Sequence, residues 1–332
     1  MEQSVPDLPR IQPFTQCSDT RNAWSDHYGA LQVAHAYAGR RSRDGYFNAI
    51  WQHGCFGPWQ DHSPRLLAYN SPAADRMSIF VARADQAELL ERNGSQNVRA
   101  IGLPIAYTPK PSVTRLPDSL LVFPTHTLIG ESYTDRSTFE AYAQEIAAQR
   151  SHFRHVVVCI HPSCLKNGLW VNEFKALGVP MVEGASTNDA HALLRMRYLF
   201  ERFSTMTTNG WGSHVAYALA FGAKVAIYGT RPERTREHFE RDSTWAMDSK
   251  ALDRALSDQQ AQAEREYLGS FYRYPSDAVS DQERGRWLIG MDNKVTPKEM
   301  REILKEAISV PRRSLLSYAR ALHRAFPGIG KS

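Results

Sequence analysis

The 332 residues include only four cysteines, Cys17, Cys55, Cys159 and Cys164, and their spacing matches neither a zinc site nor a disulfide framework. A reducing, cytoplasmic setting follows as the expectation. The chain also lacks DxD, HExxH and CxxC arrangements, so a resident metal is not expected and no cofactor is implied. A Walker lysine is missing too. No apolar run approaches the roughly 20 residues that cross a bilayer, and the opening "MEQSVPDLPR" carries acids and prolines where a signal peptide needs basic then apolar residues. Low-complexity tracts and fixed-period repeats are likewise absent.

What is present is alternation. Strand-like "YFNAIW", "MSIFVA" and "VRAIGLP" are interleaved with the helical patterns "HYGALQVAHAYAG" and "ADQAELLERNG", the latter stopped by Asn93-Gly94. A proline-rich stretch, "PIAYTPKPSVTRLP", reads as a linker. Alternation then restarts with "SLLVF", "HVVVCI", "PMVEG", "TMTT" and "KVAIYG", each followed or separated by a helical segment. The fold class is therefore α/β with parallel sheets. The expected boundaries are 1–110 for an N-terminal Rossmann-like acceptor domain, 111–295 for a C-terminal nucleotide domain, and 296–332 for terminal helices. The charged segment 231–274 reads as a lid or as surface helices.

Ligands of doubly wound sheets sit beyond the carboxyl ends of strands, which directs attention to four polar strand ends. After "TMTT", the segment "NGWGSHVAYALAFG" joins small residues to a helix start near Ser213, where free N–H groups and the helix dipole favour a phosphate. The alternative is a plain strand-to-helix turn. Ser213 reads either as the helix cap or as a phosphate donor, alongside Thr208, Asn209, Gly212 and His214. After "HVVVCI", His161 and Pro162 read as a rigid turn whose imidazole either is structural or meets a leaving phosphate.

Thr125, His126, Thr127 and Glu131 follow "SLLVF" and read either as cleft-facing residues or as a plain hydroxyl-rich loop, and Glu183 ends "PMVE" at another of the polar strand ends. In the first half, "WQHGCFGPWQDH" offers His53, then Asp61, as the base that takes a proton from an acceptor hydroxyl, with a buried turn histidine as the competing reading. His126 is a further catalytic candidate. In the tail, Leu315, Ala319, Leu322 and Phe326 share one helical face while Arg313, Arg320 and Arg324 share the other, with no acid present. Residues 311–326 thus suit either an anionic membrane surface or packing on the protein itself.

Together, "IHP" and, some fifty residues on, "TTNGWGSHVAYALAFGAKV" resemble the His-Pro and Ser-loop motifs of bacterial sialyltransferases, polysialyltransferases and Kdo transferases. That resemblance implies the GT-B architecture of two facing Rossmann-like domains. It also implies that His161, Pro162, Ser213, Thr208 and Asn209 hold the CMP part of a donor. The order "WQHG", "IGLP", "VFPTHT", "IHP" is similar to teichoic-acid polyol-phosphate transferases, whose HG turn carries a catalytic histidine, which here would be His53. The Asp/Glu-Asp/Glu-Gly tripeptide of sialyltransferases is missing, so the base is not supplied by that resemblance.

The function expected is a metal-independent inverting glycosyltransferase, moving a sugar from a CMP-sugar or other nucleotide donor to a glycan or lipid-linked glycan of capsule or lipopolysaccharide. Nucleic acid is not among the expected partners, and peripheral contact with the inner membrane face is. CDP-polyol phosphate transfer and a non-catalytic nucleotide- or glycan-binding partner are the alternatives.

Overall fold

A computed structural model describes residues 27–40, 49–60, 77–126, 136–187, 189–232, 235–240 and 249–308. Asp61, Thr127, Glu131 and the tail 311–326 lie outside them. Strands β1 (Ala49–Trp51), β2 (Ser78–Val81) and β3 (Val98–Ala100) form a three-stranded parallel sheet in chain order. Strands β4 (Leu116–Phe123), β5 (His155–Ile160), β6 (Met181–Glu183), β7 (Phe203–Thr208) and β8 (Lys224–Ile227) form a five-stranded parallel sheet ordered β6-β5-β4-β7-β8. Counted within this unit, the order is third, second, first, fourth, fifth, the Rossmann arrangement. Two parallel α/β units thus face each other.

The helices are α1 (Ala30–Tyr37), α2 (Ala84–Arg92), α3 (Ser137–Ala148), α4 (Pro162–Asn167), α5 (Val171–Ala176), α6 (Ala192–Arg202), α7 (Ser213–Ala220), α8 (Arg236–Glu240), α9 (Ser249–Ala255), α10 (Asp258–Leu268), α11 (Gln282–Leu288) and α12 (Pro297–Ile308). Strand alternation divides their work. Leu120, Val122, Val156, Val158 and Ile160 face Phe139, Tyr142, Trp170 and Phe174 of the α3 to α5 layer. Leu121, Val157, Met206 and Val225 point to the opposite face, into a cluster that continues through α6, α7 and α11 to Trp51 and Phe80 of the first sheet. Burying each such aromatic contributes about 1.5–3 kcal/mol, so this shared cluster couples the two units. Trp51 also donates its indole N–H to Gly102 O at 2.9 Å, which satisfies its one polar atom.

Two local readings are corrected, and a third resolves into helices. The segment "PIAY" inside the proline-rich linker is a short 3-10 turn with all four residues buried, because Ile105, Ala106 and Tyr107 supply core side chains between the prolines. Pro162 opens α4 at its first position, where the missing N–H costs nothing, so the residues after β5 form a helix and not a bare turn. The segment after β8 contains α8, α9 and α10, with α10 capped by Ser257, whose hydroxyl accepts from Gln260 N–H.

The chain returns to the first unit at its end. Leu103 N–H donates to Ile289 O at 2.9 Å, Asn293 reaches Ala82 O, and Tyr37 donates to Val295 O. Thr296 and Glu299 form a capping box at the start of α12, which lies against α1 with Arg301 donating to Ala38 O. Gly290 (φ +68) makes this return possible, since a Cβ there would fall 1.9 Å from Ala82 O.

Gly290→Ala is therefore expected to destabilise the protein well beyond Gly94→Ala. The latter position shares a positive φ, +87, but has open space around it. Strain alone costs about 1–2 kcal/mol, so a urea denaturation series should show the Gly290 variant losing clearly more than that and the Gly94 variant no more. Equal losses would contradict the close-approach explanation.

Candidate active site

Strand order reverses between β4 and β7, and the loops that follow these two strands open a crevice there. Asn209 fastens them together. Its Oδ1 accepts from Thr125 N–H at 2.9 Å and its Nδ2 donates to Thr230 O at 2.8 Å, tying the ends of β4, β7 and β8. A cavity of about 210 Å³ lies at this point, with Tyr28, His53 and Gly54 of the first unit on one side and the loops of the second unit on the other. Thr125, His126, His161, Gly212, Ser213, His214 and Arg231 supply its polar lining, against Phe123, Leu193, Met196, Phe200 and Trp211.

His161 caps α4. Its Nδ1 accepts from Ser163 N–H at 3.2 Å and sits 2.6 Å from Ser163 Oγ. A backbone N–H can only donate, so Nδ1 is the acceptor and Nε2 carries the proton of the neutral ring. His161 stacks on His126 with centroids 4.7 Å apart. Burial, with His126 adding to it, lowers the His161 pKa to about 4. The imidazole therefore enters the cavity as a neutral N–H donor.

α7 begins at the cavity. Gly212 is its N-cap in extended backbone and supplies no side-chain cap, so the first N–H groups of α7 face the cavity without a capping side chain. A Cβ on Gly212 would sit 2.6 Å from His214 Cε1, so the His214 ring occupies the space a side chain would need. His214 Nε2 lies 3.0 Å from Thr208 Oγ1, whose proton goes to Gly210 O, and its ring stacks on Phe123 at 5.4 Å. Burial lowers its pKa to about 3.

Ser213 is not the helix cap. It is the first residue of α7, and its Oγ accepts from Cys55 N–H across the cleft at 2.8 Å. Tyr217, one turn on, donates to His53 O at 2.7 Å. Two residues of α7 thereby grip the His53-Gly54-Cys55 turn. Next to it, Trp59 meets Trp211 at 4.7 Å and Tyr267 at 4.8 Å, an aromatic contact between the units that excludes water.

His53 is paired with a residue that sequence reasoning passed over. His27 Nδ1 lies 3.2 Å from His53 Nδ1, and the rings meet edge to face at 4.5 Å. Burial lowers His27 to about 4; burial and then the neighbouring His27 lower His53 to about 3. The "HYG" segment was legible only as a helix start, whereas Tyr28 and Gly29 take left-handed conformations that hold a tight turn, and Tyr28 N–H donates to Thr187 O. Arg231 was also passed over. It lies in the loop that follows β8, after Tyr228, Gly229 and Thr230, so the strand-end rule that found His161, extended along that loop, would have found it.

Other expected residues stand apart from the cavity. Thr208 and Asn209 are buried in loop-bracing hydrogen bonds and do not line it. Pro162 is absent from the lining, as is Glu183, whose neighbours Gly184 and Ala185 do line it. Burial raises the Glu183 pKa, with Arg195 opposing and Asp189 adding. Arg195 is committed to Asp189 in a buried ion pair at 2.7 Å. Among the described residues, no group of three or more His, Cys, Asp or Glu side chains is placed to hold a metal ion, and no helix is long and apolar enough to cross a membrane.

No family model and no curated protein matches the chain. Among solved structures, it is similar to a variant of TarM from S. aureus in a complex containing UDP, at 11% identity and a TM-score of 0.35 over 78% of this chain and 50% of that one. It is also similar to the pneumococcal O-GlcNAc transferase GtfA in complex with UDP and GlcNAc, at 12% identity and a TM-score of 0.33 over 79% of this chain and 53% of that one. A third is the α,α-trehalose 6-phosphate synthase of Burkholderia multivorans, at 12% identity and a TM-score of 0.29, covering 82% of this chain and 67% of that one. The chain spans about half the length of the first two.

Four imidazoles, those of His27, His53, His161 and His214, have pKa values of about 3 to 4 in the folded protein, against 6.5 when exposed. Between those limits the unfolded chain binds more protons, so stability is full above about pH 6.5 and falls as pH drops toward 4, by up to about 1.4 kcal/mol per pH unit for each such group. Urea midpoints at pH 7.5, 6 and 5 should decline steeply over that window, and His214→Asn should flatten the decline. A level profile would show that these rings are not held neutral.

Proposed function

We propose that the protein is a metal-independent, inverting glycosyltransferase of the GT-B type, using a nucleotide-sugar donor. The observation that carries this reading is the placement of His53 on one unit opposite His161 and the amino end of α7 on the other, around a single cavity at the strand-order reversal. Such a site separates the two tasks of a displacement. A base must stand on the acceptor side and donors must stand where phosphate charge develops.

In the proposed reaction the acceptor oxygen bonds to the anomeric carbon as the bond from that carbon to the donor phosphate breaks, and the configuration inverts. The acceptor proton goes to His53 Nε2. This requires the lone pair on Nε2 and hence a proton on Nδ1, which then donates to His27 Nδ1 3.2 Å away. His27 is in this reading a positioning residue. The departing nucleotide phosphate is met by His161 Nε2–H, by the N–H groups opening α7 and by Arg231, in an apolar surround where each interaction is stronger than in water. His126, stacked on His161, completes the donor side.

A CMP-sugar is the favoured donor, on the resemblance of the His-Pro and Ser-loop segments. The proposed acceptor is a hydroxyl of a capsule or lipopolysaccharide glycan, reached at the inner membrane face. CDP-polyol phosphate transfer uses the same histidines and is separated by its products.

His161→Ala is expected to abolish transfer and weaken nucleotide binding while leaving the circular dichroism unchanged, and His53→Gln to lower kcat by about 10²–10⁴ with donor binding retained. Released nucleotide measured over CMP-sugars, UDP-sugars and CDP-polyols identifies the donor, and a thermal shift with CMP, CDP, UDP or GDP identifies the base. Undiminished turnover in His161→Ala would overturn the assignment. Since burial holds the His53 pKa far below the ordinary imidazole range, kcat/KM against pH should show no ionisation near 6.5.

A further inference from the structure

A second concavity, of about 460 Å³, opens beside the first on the far side of the Asn209-Gly210 loop. Tyr228, Tyr272, Tyr274 and Arg273 line it, and Arg231 lines both this space and the candidate active site. We propose that it binds an acidic saccharide unit, a sugar ring bearing a carboxylate or phosphate, as an extension of the candidate active site along the second unit. The link to the reaction rests on the glycosyltransferase reading; the binding itself does not.

The walls are firmly built. Gly229 (φ +94) passes so close to Tyr142 that a Cβ would lie 2.6 Å from its ring, and this turn presents Tyr228, whose N–H is held by Thr208 O at 2.8 Å. The opposite wall, residues 272–274, is fixed to the edge of β8 by bridges from Ile227 to Tyr272 and from Val225 to Val279. It is anchored by the buried residues Phe271 and Pro275. Between those anchors Tyr272 and Tyr274 remain 42% and 61% exposed, although burying them would be favourable. Tyr228 and Tyr274 meet at 5.0 Å and 41°, and both line the concavity.

Open aromatic faces held rigid are what the apolar face of a sugar ring stacks upon, and tyrosine hydroxyls supply hydrogen bonds to its rim. The charge comes from the arginines. Arg273 Nε is shielded from solvent yet has no hydrogen-bond partner, and Nη1 makes only a long contact, 3.4 Å, to Asp277 O. A guanidinium held by no strong partner is free to turn toward an incoming carboxylate or phosphate and donate to it in bidentate fashion. Arg231 has no acidic partner among the described residues. Two acids stand near the site and both are engaged: Glu264 accepts from Tyr272 OH at 3.1 Å, and Glu145, behind the Gly229 turn, accepts from Thr230 N–H and Oγ1–H. Since Arg231 touches both spaces, a saccharide seated here directs its next unit toward His53 and His161.

Titration calorimetry of the full chain with tri-galacturonate, phosphorylated maltotriose and neutral maltotriose tests this. The expected result is saturable binding of at least one acidic trisaccharide, at least tenfold tighter than the neutral one, and weakened at least tenfold by Arg273→Gln and by Tyr274→Ala. Tyr274 and Arg273 stand outside the proposed catalytic machinery, so nucleotide affinity in both variants should match the parent. The carboxylated and phosphorylated probes separate the two anions. Absence of acidic-saccharide binding, equal binding of the neutral probe, or parent-like binding by both variants would overturn the proposal. So would an equal loss of nucleotide affinity, which would give the concavity to the nucleotide. Failure of the glycosyltransferase reading shows elsewhere, in a lack of nucleotide binding and release.

Discussion

The grip of α7 on the His53-Gly54-Cys55 turn is the constraint from which the rest of the site follows. Ser213 Oγ takes the Cys55 N–H and Tyr217 gives its proton to the His53 carbonyl, so the turn carrying one imidazole is located by the helix whose first turn forms the opposite wall. The distance across the cavity is thus set inside one helical turn of α7. Each bond contributes only about 0.5–1.5 kcal/mol net, but between buried partners the loss of either leaves an unsatisfied group. Their value lies in registration more than in strength.

The histidines show how environment decides chemical role. An imidazole in water at neutral pH is a mixture of charged and neutral forms, whereas burial in this apolar surround removes the charged form. Neutral rings have one donor and one acceptor nitrogen, and each neighbour fixes which is which. Ser163 N–H settles the matter for His161, as the Thr208 hydroxyl does for His214. The result is a set of directed donors with Arg231 as the formal cation of the lining, a composition that suits a charge developing at one point.

Much of the fold could be read from sequence because strand alternation and helix stops are local. The β2, α2, β5, β7 and α7 patterns are continuous apolar or helical runs, with asparagine or glycine after α2, β7 and α7, and they are found where expected. The strand-end rule likewise brought His53, His126, His161, Ser213 and His214 to one cavity. What escaped depends on contacts distant in sequence. His27 matters because a left-handed turn delivers it to a residue 26 positions away, and Ser213 looked like a cap because its true partner, Cys55, is 158 positions away. Ile105, Ala106 and Tyr107 were hidden by prolines, since a propensity for turns says nothing about burial.

The return of the chain from α11 to α12 beside the stretch after β3 has a mechanical consequence. The two units are joined covalently in two places, through residues 101–115 and through residues 289–295, and these connections are bonded to each other where Leu103 meets Ile289. The two crossings act as one doubled strap, with Gly102 and Gly290 packed so closely that neither position has room for a side chain.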